Sequence, residues 1–143
     1  MVSIDQNEIL KIYTDGAARG NPGPAASAFV LVQGSAVLFS DVKLIGNTTN
    51  NSAEYNAILN ALTYVKKFYN GKIKLYSDSQ LAIKQITGEW KINYPHLANL
   101  KKEILTLSKF FRKVEYSHIP RTDPFIQICD KLCNEKLDRN DFT

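Results

Sequence analysis

The sequence predicts an α/β fold in which one mixed β-sheet is covered by helices. Three observations carry this reading. Stretches with strand-like alternation and stretches with helical spacing succeed one another along the chain. Their order, three antiparallel-looking strands and then helix, strand, helices, strand and helix, is that of a single sheet with helices packed against it. Finally, 143 residues with 44% hydrophobic and 22% charged side chains suit one globular domain, expected to span residues 1–143.

Residues 9–14 set Ile9, Lys11 and Tyr13 against Leu10, Ile12 and Thr14, a strand with apolar groups on both faces. A turn-rich stretch follows. Ala25–Val32 reads as the second strand, Gln33-Gly34-Ser35 as a hairpin connection and Ala36–Leu44 as the third strand. The run from Gly46 to Asn51 is a polar loop. From Ser52 the period changes, with Tyr55, Ile58, Leu62 and Val65 at helical spacing until Asn70-Gly71 stops the helix. Lys72–Ser77 is a short strand, and Gln80–Ile86 a short helix closed by Gly88. Leu97, Leu100, Ile104, Leu107 and Phe111 mark an amphipathic helix whose other side carries Lys101, Lys102 and Lys109. Those lysines are a solvated face or a nucleic-acid patch. Val114–Ile119 is the last strand and Phe125–Leu137 the last helix, with Ile126, Cys129 and Cys133 on its apolar side.

Composition excludes several classes. The longest apolar run, Ala25–Val32, is far too short to cross a bilayer, so no membrane association is expected. The first ten residues carry Asp5 and Glu8 and lack the apolar stretch of a secretory signal, which makes the cytoplasm the expected compartment. A net charge of +4 is compatible with a polyanionic partner without requiring one. Cys129 and Cys133 lie within one helical turn, poor geometry for a disulfide, and their surroundings lack zinc-type ligand spacing. Two reduced, partly buried thiols are expected.

The chemistry gathers on carboxylates. "YTDG" contains Asp15, "TNNSAEYNAIL" contains Glu54 and "LYSDSQLA" contains Asp78, each where a regular element meets a polar loop. "QICDKLCNE" sets Asp130 beside the apolar stripe of the last helix. In open α/β sheets sites gather at the carboxyl ends of strands, where Asp15 and Asp78 both stand. Singly, each acid has a commoner job: Asp15 and Asp78 could be turn or cap residues, and Glu54, three residues after Asn51, could close a capping box. Converging, they need a cation, because two ionised carboxylates about 4 Å apart repel by about 4 kcal/mol at an effective dielectric of 20. Hard oxygen ligands with only two histidines in the chain point to Mg²⁺ or Mn²⁺ rather than zinc. Such clusters hold two divalent ions for displacement at phosphorus.

"YTDGAARGNPGPAA", "TTNNSAEYNAILNAL", "YSDSQLAIKQITGEWKI" and "HIPRTDPFIQICDKLCNE", in that order, closely resemble the ribonuclease H type 1 family, from about Lys11 to Leu137. The resemblance implies the ribonuclease H-like fold, a five-stranded mixed sheet of three antiparallel strands and then two parallel ones, flanked by helices. It implies endonucleolytic hydrolysis of the RNA strand of an RNA/DNA hybrid with two Mg²⁺ ions, Mn²⁺ as substitute, leaving 5′-phosphate and 3′-hydroxyl ends. On the family pattern Asp15, Glu54, Asp78 and Asp130 match the catalytic, metal-holding carboxylates. Gly16, Asn21, Asn50, Asn51 and Gln80 match positions that meet the nucleic-acid backbone, and Thr49 with Asn50 resembles a pocket for a DNA phosphate. Arg121 sits where a basic or imidazole group assists product release. The partner so implied is the hybrid duplex, with no obligate protein partner and a monomer expected.

The chain departs from the pattern in places. Ala25 and Ala26 replace a usual glycine pair, which should affect packing more than chemistry, and Ser52 replaces a common arginine. The segment from Arg121 to Asp130 lacks the usual asparagine and is two residues longer than in many members, so Asp123 is a rival to Asp130. No separate amino-terminal hybrid-binding domain is evident, and Gly88–Ala98 is short for a basic protrusion, which leaves the core to hold the duplex. Trp90, followed by Lys91, stacks on sugar or base, or else is an aromatic at the core's edge. Two other readings compete: a hybrid-binding protein without cleavage, and a resolvase or DNA nuclease on the same fold. Intact Asp15, Glu54 and Asp78 argue against the first, and the complete TTNN and SDSQ segments against the second.

Overall fold

The computed structural model describes residues 3–140; the first two and last three residues of the expected domain lie outside the described residues. Among the described residues five strands form one sheet, in the order β3-β2-β1-β4-β5. β1 (Leu10–Ala18), β2 (Gly23–Gln33) and β3 (Ala36–Thr48) are joined by tight turns and pair antiparallel. In the β2–β3 hairpin Gly34 takes φ 60°, the positive value that a two-residue Gly-X turn requires at its first position. β4 (Lys72–Ser77) and β5 (Lys113–His118) are reached through helical crossovers and lie parallel to β1, β4 directly beside it.

Helices cover both faces. α1 (Asn50–Val65), α2 (Gln80–Ile86) and α3 (Pro95–Ser108) bury Tyr55, Ile58, Leu62, Ile86, Leu100 and Ile104 against Leu10, Ile12, Leu31 and Leu75 of the sheet. α4 (Pro124–Asn140) packs on the opposite face, where Ile126, Cys129, Cys133 and Leu137 meet Tyr13, Ala28, Val30 and Val32. Period-2 alternation along β1 and β2 produces this division, since neighbouring residues point to opposite faces. Ala25 and Ala26 are fully packed, so the position of the missing glycine pair belongs to the core. Both thiols are free and buried, and burial pushes each of them up from the ordinary cysteine range.

Several boundaries differ from those the sequence suggests. β1 does not end before Asp15; Asp15, Gly16, Ala17 and Ala18 keep their ladder with Ala28, Ser27, Ala26 and Ala25. β3 likewise absorbs Gly46-Asn47-Thr48, because the start of β2 provides partners as far as Gly23. The capping box at Asn51 and Glu54 does not form, because α1 already begins at Asn50, with Thr49 as its cap accepting a hydrogen bond from the Ser52 amide. α3 begins at Pro95, which fits a first helical turn, and stops at Ser108; Phe111 is buried beyond its end. No helix among the described residues is long and apolar enough to cross a membrane.

Candidate active site

The parallel pairing of β1 with β4 ends with Thr14 opposite Ser77, so Asp15, still within β1, and Asp78, just past β4, stand side by side where that pairing stops. Glu54 comes from the first turns of α1 on the other side. Its approach depends on Gly16, where a Cβ would stand 2.3 Å from the Ala53 carbonyl carbon; with no side chain there, α1 lies directly on β1. Ser27 on β2 fixes the same contact by donating its hydroxyl to the Ala53 carbonyl at 2.7 Å. The Gly16 amide then donates to Glu54 Oε1 at 2.6 Å and to Asp15 Oδ1 at 2.9 Å, clasping two of the acids together.

Ligand oxygens of Asp15, Glu54 and Asp78 all lie within 4.8 Å of one another. Asp15 is 6% exposed. Burial and then the Asp78 charge push the Asp15 carboxyl up to about 7, with Asp130 adding to the rise. Glu54 is pushed well above the carboxylate range by burial and by Asp15 and Asp78. Asp78 has its Oδ2 3.4 Å from Arg121 Nε, while its Oδ1 is buried with no hydrogen-bond partner. A buried, unpaired oxygen on a carboxylate that belongs to a cluster of acids is costly. Hard oxygen donors, tight spacing and that orphan atom fit a divalent cation.

Asp130 projects from α4 near Asp15 but is exposed and stands outside the group that closes to 4.8 Å. Asp123 has another role: its Oδ1 accepts from the Phe125 and Ile126 amides and caps α4. α4 itself is registered on β1 and β2 by thiol contacts, Cys129 to the Tyr13 carbonyl at 3.4 Å and Cys133 to the Asp15 and Ala26 carbonyls at 3.7 and 3.6 Å. Arg121 meets Asp78, with its side chain 88% exposed.

The polar residues expected to meet nucleic acid fall around the start of α1. Asn50 Oδ1 accepts from the Ala18 amide and Asn21 Oδ1 accepts from the Asn50 amide, knitting the β1–β2 turn to the helix. Thr49 caps that helix, and Asn51 is exposed beside it. Asn21, Thr49 and Asn51 line a cavity of about 350 Å³ with Tyr94, His96 and Leu97. His96 Nε2 pairs with Ser52 Oγ at 3.0 Å. Nothing in the sequence marks Tyr94 and His96 for this place; α3 brings them there by packing on α1. Gln80 opens α2 and is exposed, one residue past Ser79, the actual cap. Trp90 is 42% exposed, with much of its ring open to solvent.

A family profile described as reverse transcriptase-like matches residues 13–136. The chain is 40% identical over 139 residues to ribonuclease HI of Halobacterium salinarum, covering 96% of this chain and 69% of that protein. It is 34% identical to a bifunctional protein of Mycobacterium tuberculosis, of which it spans 35% of the length. Among solved structures, RNase H1 from Halobacterium salinarum superposes with a TM-score of 0.87 at 40% identity, covering 92% of this chain and 98% of the other. LC11-RNase H1, solved in complex with an RNA/DNA hybrid, superposes with a TM-score of 0.83 at 33% identity, covering 92% and 98%.

Proposed function

The chain belongs to the ribonuclease H type 1 family, and from that premise we propose that it hydrolyses the RNA strand of RNA/DNA hybrids at the Asp15–Glu54–Asp78 cluster. The observation that carries this is the orphaned Asp78 Oδ1 within a set of acids closed to 4.8 Å, an arrangement that a divalent cation satisfies. The donor set suits Mg²⁺, with Mn²⁺ as substitute, and Asp130 at the rim completes a set able to hold two ions once substrate supplies further oxygens. Ions held there by Asp15, Glu54, Asp78 and Asp130 would supply an activated water and a charge partner for the leaving oxygen, chemistry that would give 5′-phosphate and 3′-hydroxyl ends.

The chain's own residues do the rest. Gly16 and Ser27 hold α1 against β1 and thereby fix Glu54 relative to Asp15. Asn51 and Gln80, exposed beside Glu54 and Asp78, read the 2′-hydroxyl, which donates and accepts as their amides do. The cavity of Asn21, Thr49 and Asn51 receives a backbone phosphate of the DNA strand, and Trp90 offers a stacking face. Hybrid recognition by LC11-RNase H1 supports the same partner here. We assign a single domain acting as a monomer in the cytoplasm.

The test is a gel assay of labelled RNA/DNA, RNA/RNA and DNA/DNA duplexes with Mg²⁺, Mn²⁺ or EDTA. Cleavage of the RNA strand of the hybrid, abolished by EDTA, is expected. Hybrid binding without cleavage in either metal would make the protein a binding module, and DNA/DNA cleavage a DNA nuclease.

A further inference from the structure

The contact between Arg121 and Asp78 joins a solvent-exposed base to a nearly buried acid. The Arg121 side chain is 88% exposed, so it packs against little, whereas Asp78 is 7% exposed and offers a ligand oxygen to the acidic cluster. The backbone around Arg121 is anchored nearby, with the Asp123 amide bonded to the Pro120 carbonyl at 3.1 Å and Asp123 capping α4. An anchored base with an exposed side chain is a short tether carrying a positive charge. That charge rests on Oδ2 of the carboxylate whose other oxygen is buried and unpaired.

We propose that Arg121 is a metal-displaced latch: in the metal-free protein its guanidinium occupies Asp78 Oδ2 as a surrogate cation, and a divalent ion must expel it to bind. This rests on the reading of the cluster as a metal site. Two physical effects act in the same direction. The guanidinium occupies one of the two oxygens of a carboxylate in the cluster, and its charge offsets part of the negative potential that draws a divalent ion in. Metal entry and release of Arg121 are therefore one exchange, which leaves the freed guanidinium available to a phosphate only when the site is loaded. No covalent step is involved.

The experiment is Mn²⁺ binding to the whole protein without nucleic acid, followed by loss of the free-ion electron paramagnetic resonance signal, for the parent, Arg121→Ala and Arg121→Gln. Both variants are expected to bind Mn²⁺ about two- to fivefold more tightly than the parent at low salt, the range an exposed ion pair carries. The difference is expected to shrink as KCl is raised. Thermal melts provide a second readout: the variants melt below the parent in EDTA and gain more from Mn²⁺. Equal or weaker Mn²⁺ binding by both variants, with the parent binding normally, would overturn the latch while leaving the metal site standing. No Mn²⁺ binding by the parent would overturn both.

Discussion

Replacing Asp15 by asparagine should stabilise the metal-free protein while abolishing metal-dependent cleavage. The amide oxygen of Asp15→Asn can still accept from the Gly16 amide, as Asp15 Oδ1 does at 2.9 Å, so the local geometry survives. What disappears is a charge. At the 4.8 Å limit within which the three ligand oxygens lie, each ionised pair repels by about 3 kcal/mol at an effective dielectric of 20. Water and partial protonation reduce this, leaving an expected gain of about 1 to 3 kcal/mol, or about 3 to 10 °C in Tm for a domain of this size. The pH dependence gives the prediction its sign. The Asp15 carboxyl is raised to about 7 in the folded protein from 3.8, so its contribution is complete below the unfolded value and is lost as pH rises through 7. The substituted amide has no proton to lose. Melts in EDTA should therefore show the variant above the parent at pH 8, the gap narrowing as pH falls through 7 and closing only below the unfolded value of 3.8, and Mg²⁺ should stabilise the parent more than the variant. A variant that melts below the parent at pH 8, or a gain that does not narrow as pH falls through 7, would mean that carboxylate repulsion does not set the stability of this cluster.

Asp130→Asn should cost far more activity than Asp123→Asn, which retains a good helix cap; Asp123→Ala should lower stability by about 1 kcal/mol in denaturant melts. The reverse order of activities would make Asp123 the fourth ligand. Gly16→Ala places a Cβ 2.3 Å from the Ala53 carbonyl carbon, so it should push α1 off β1, with a loss of about 1 to 3 kcal/mol in stability and most of the cleavage rate. Asn51→Ala and Gln80→Ala should each reduce kcat/KM on hybrids by about 1 to 3 kcal/mol and weaken the preference for ribose at the cut, measured with chimeric strands. Lysine changes at Lys101, Lys102 and Lys109 should alter the salt dependence of hybrid binding with little effect on that preference.

The order of elements was legible because alternation and helical spacing are local properties of the chain. Boundaries failed where a partner strand decided them: Gly46-Asn47-Thr48 reads as loop in isolation, yet β2 offers a ladder as far as Gly23. The same cause carried β1 through Asp15 to Ala18. Among the site residues, Asp15, Glu54 and Asp78 stood out because acids at element ends are visible in order, and the structure brings those three together. Within the protein, Gly16 has Glu54 and the Ala53 backbone as its close partners, a matter of helix-to-strand approach that a lone glycine does not announce. Nor could the sequence pair Arg121 with Asp78, 43 residues apart and joined only when β5 pairs with β4.

The most direct measurement is end-group analysis of a hybrid cut by this protein in Mg²⁺, with each strand labelled in turn. If acids holding metal direct water at phosphorus, only the RNA strand is cut, its fragments carry 5′-phosphate and 3′-hydroxyl ends, and EDTA or Asp78→Asn abolishes them. Fragments ending in a 2′,3′-cyclic phosphate, or cleavage that persists in EDTA, would show instead that the ribose hydroxyl is the nucleophile and that the carboxylate cluster does not direct the chemistry.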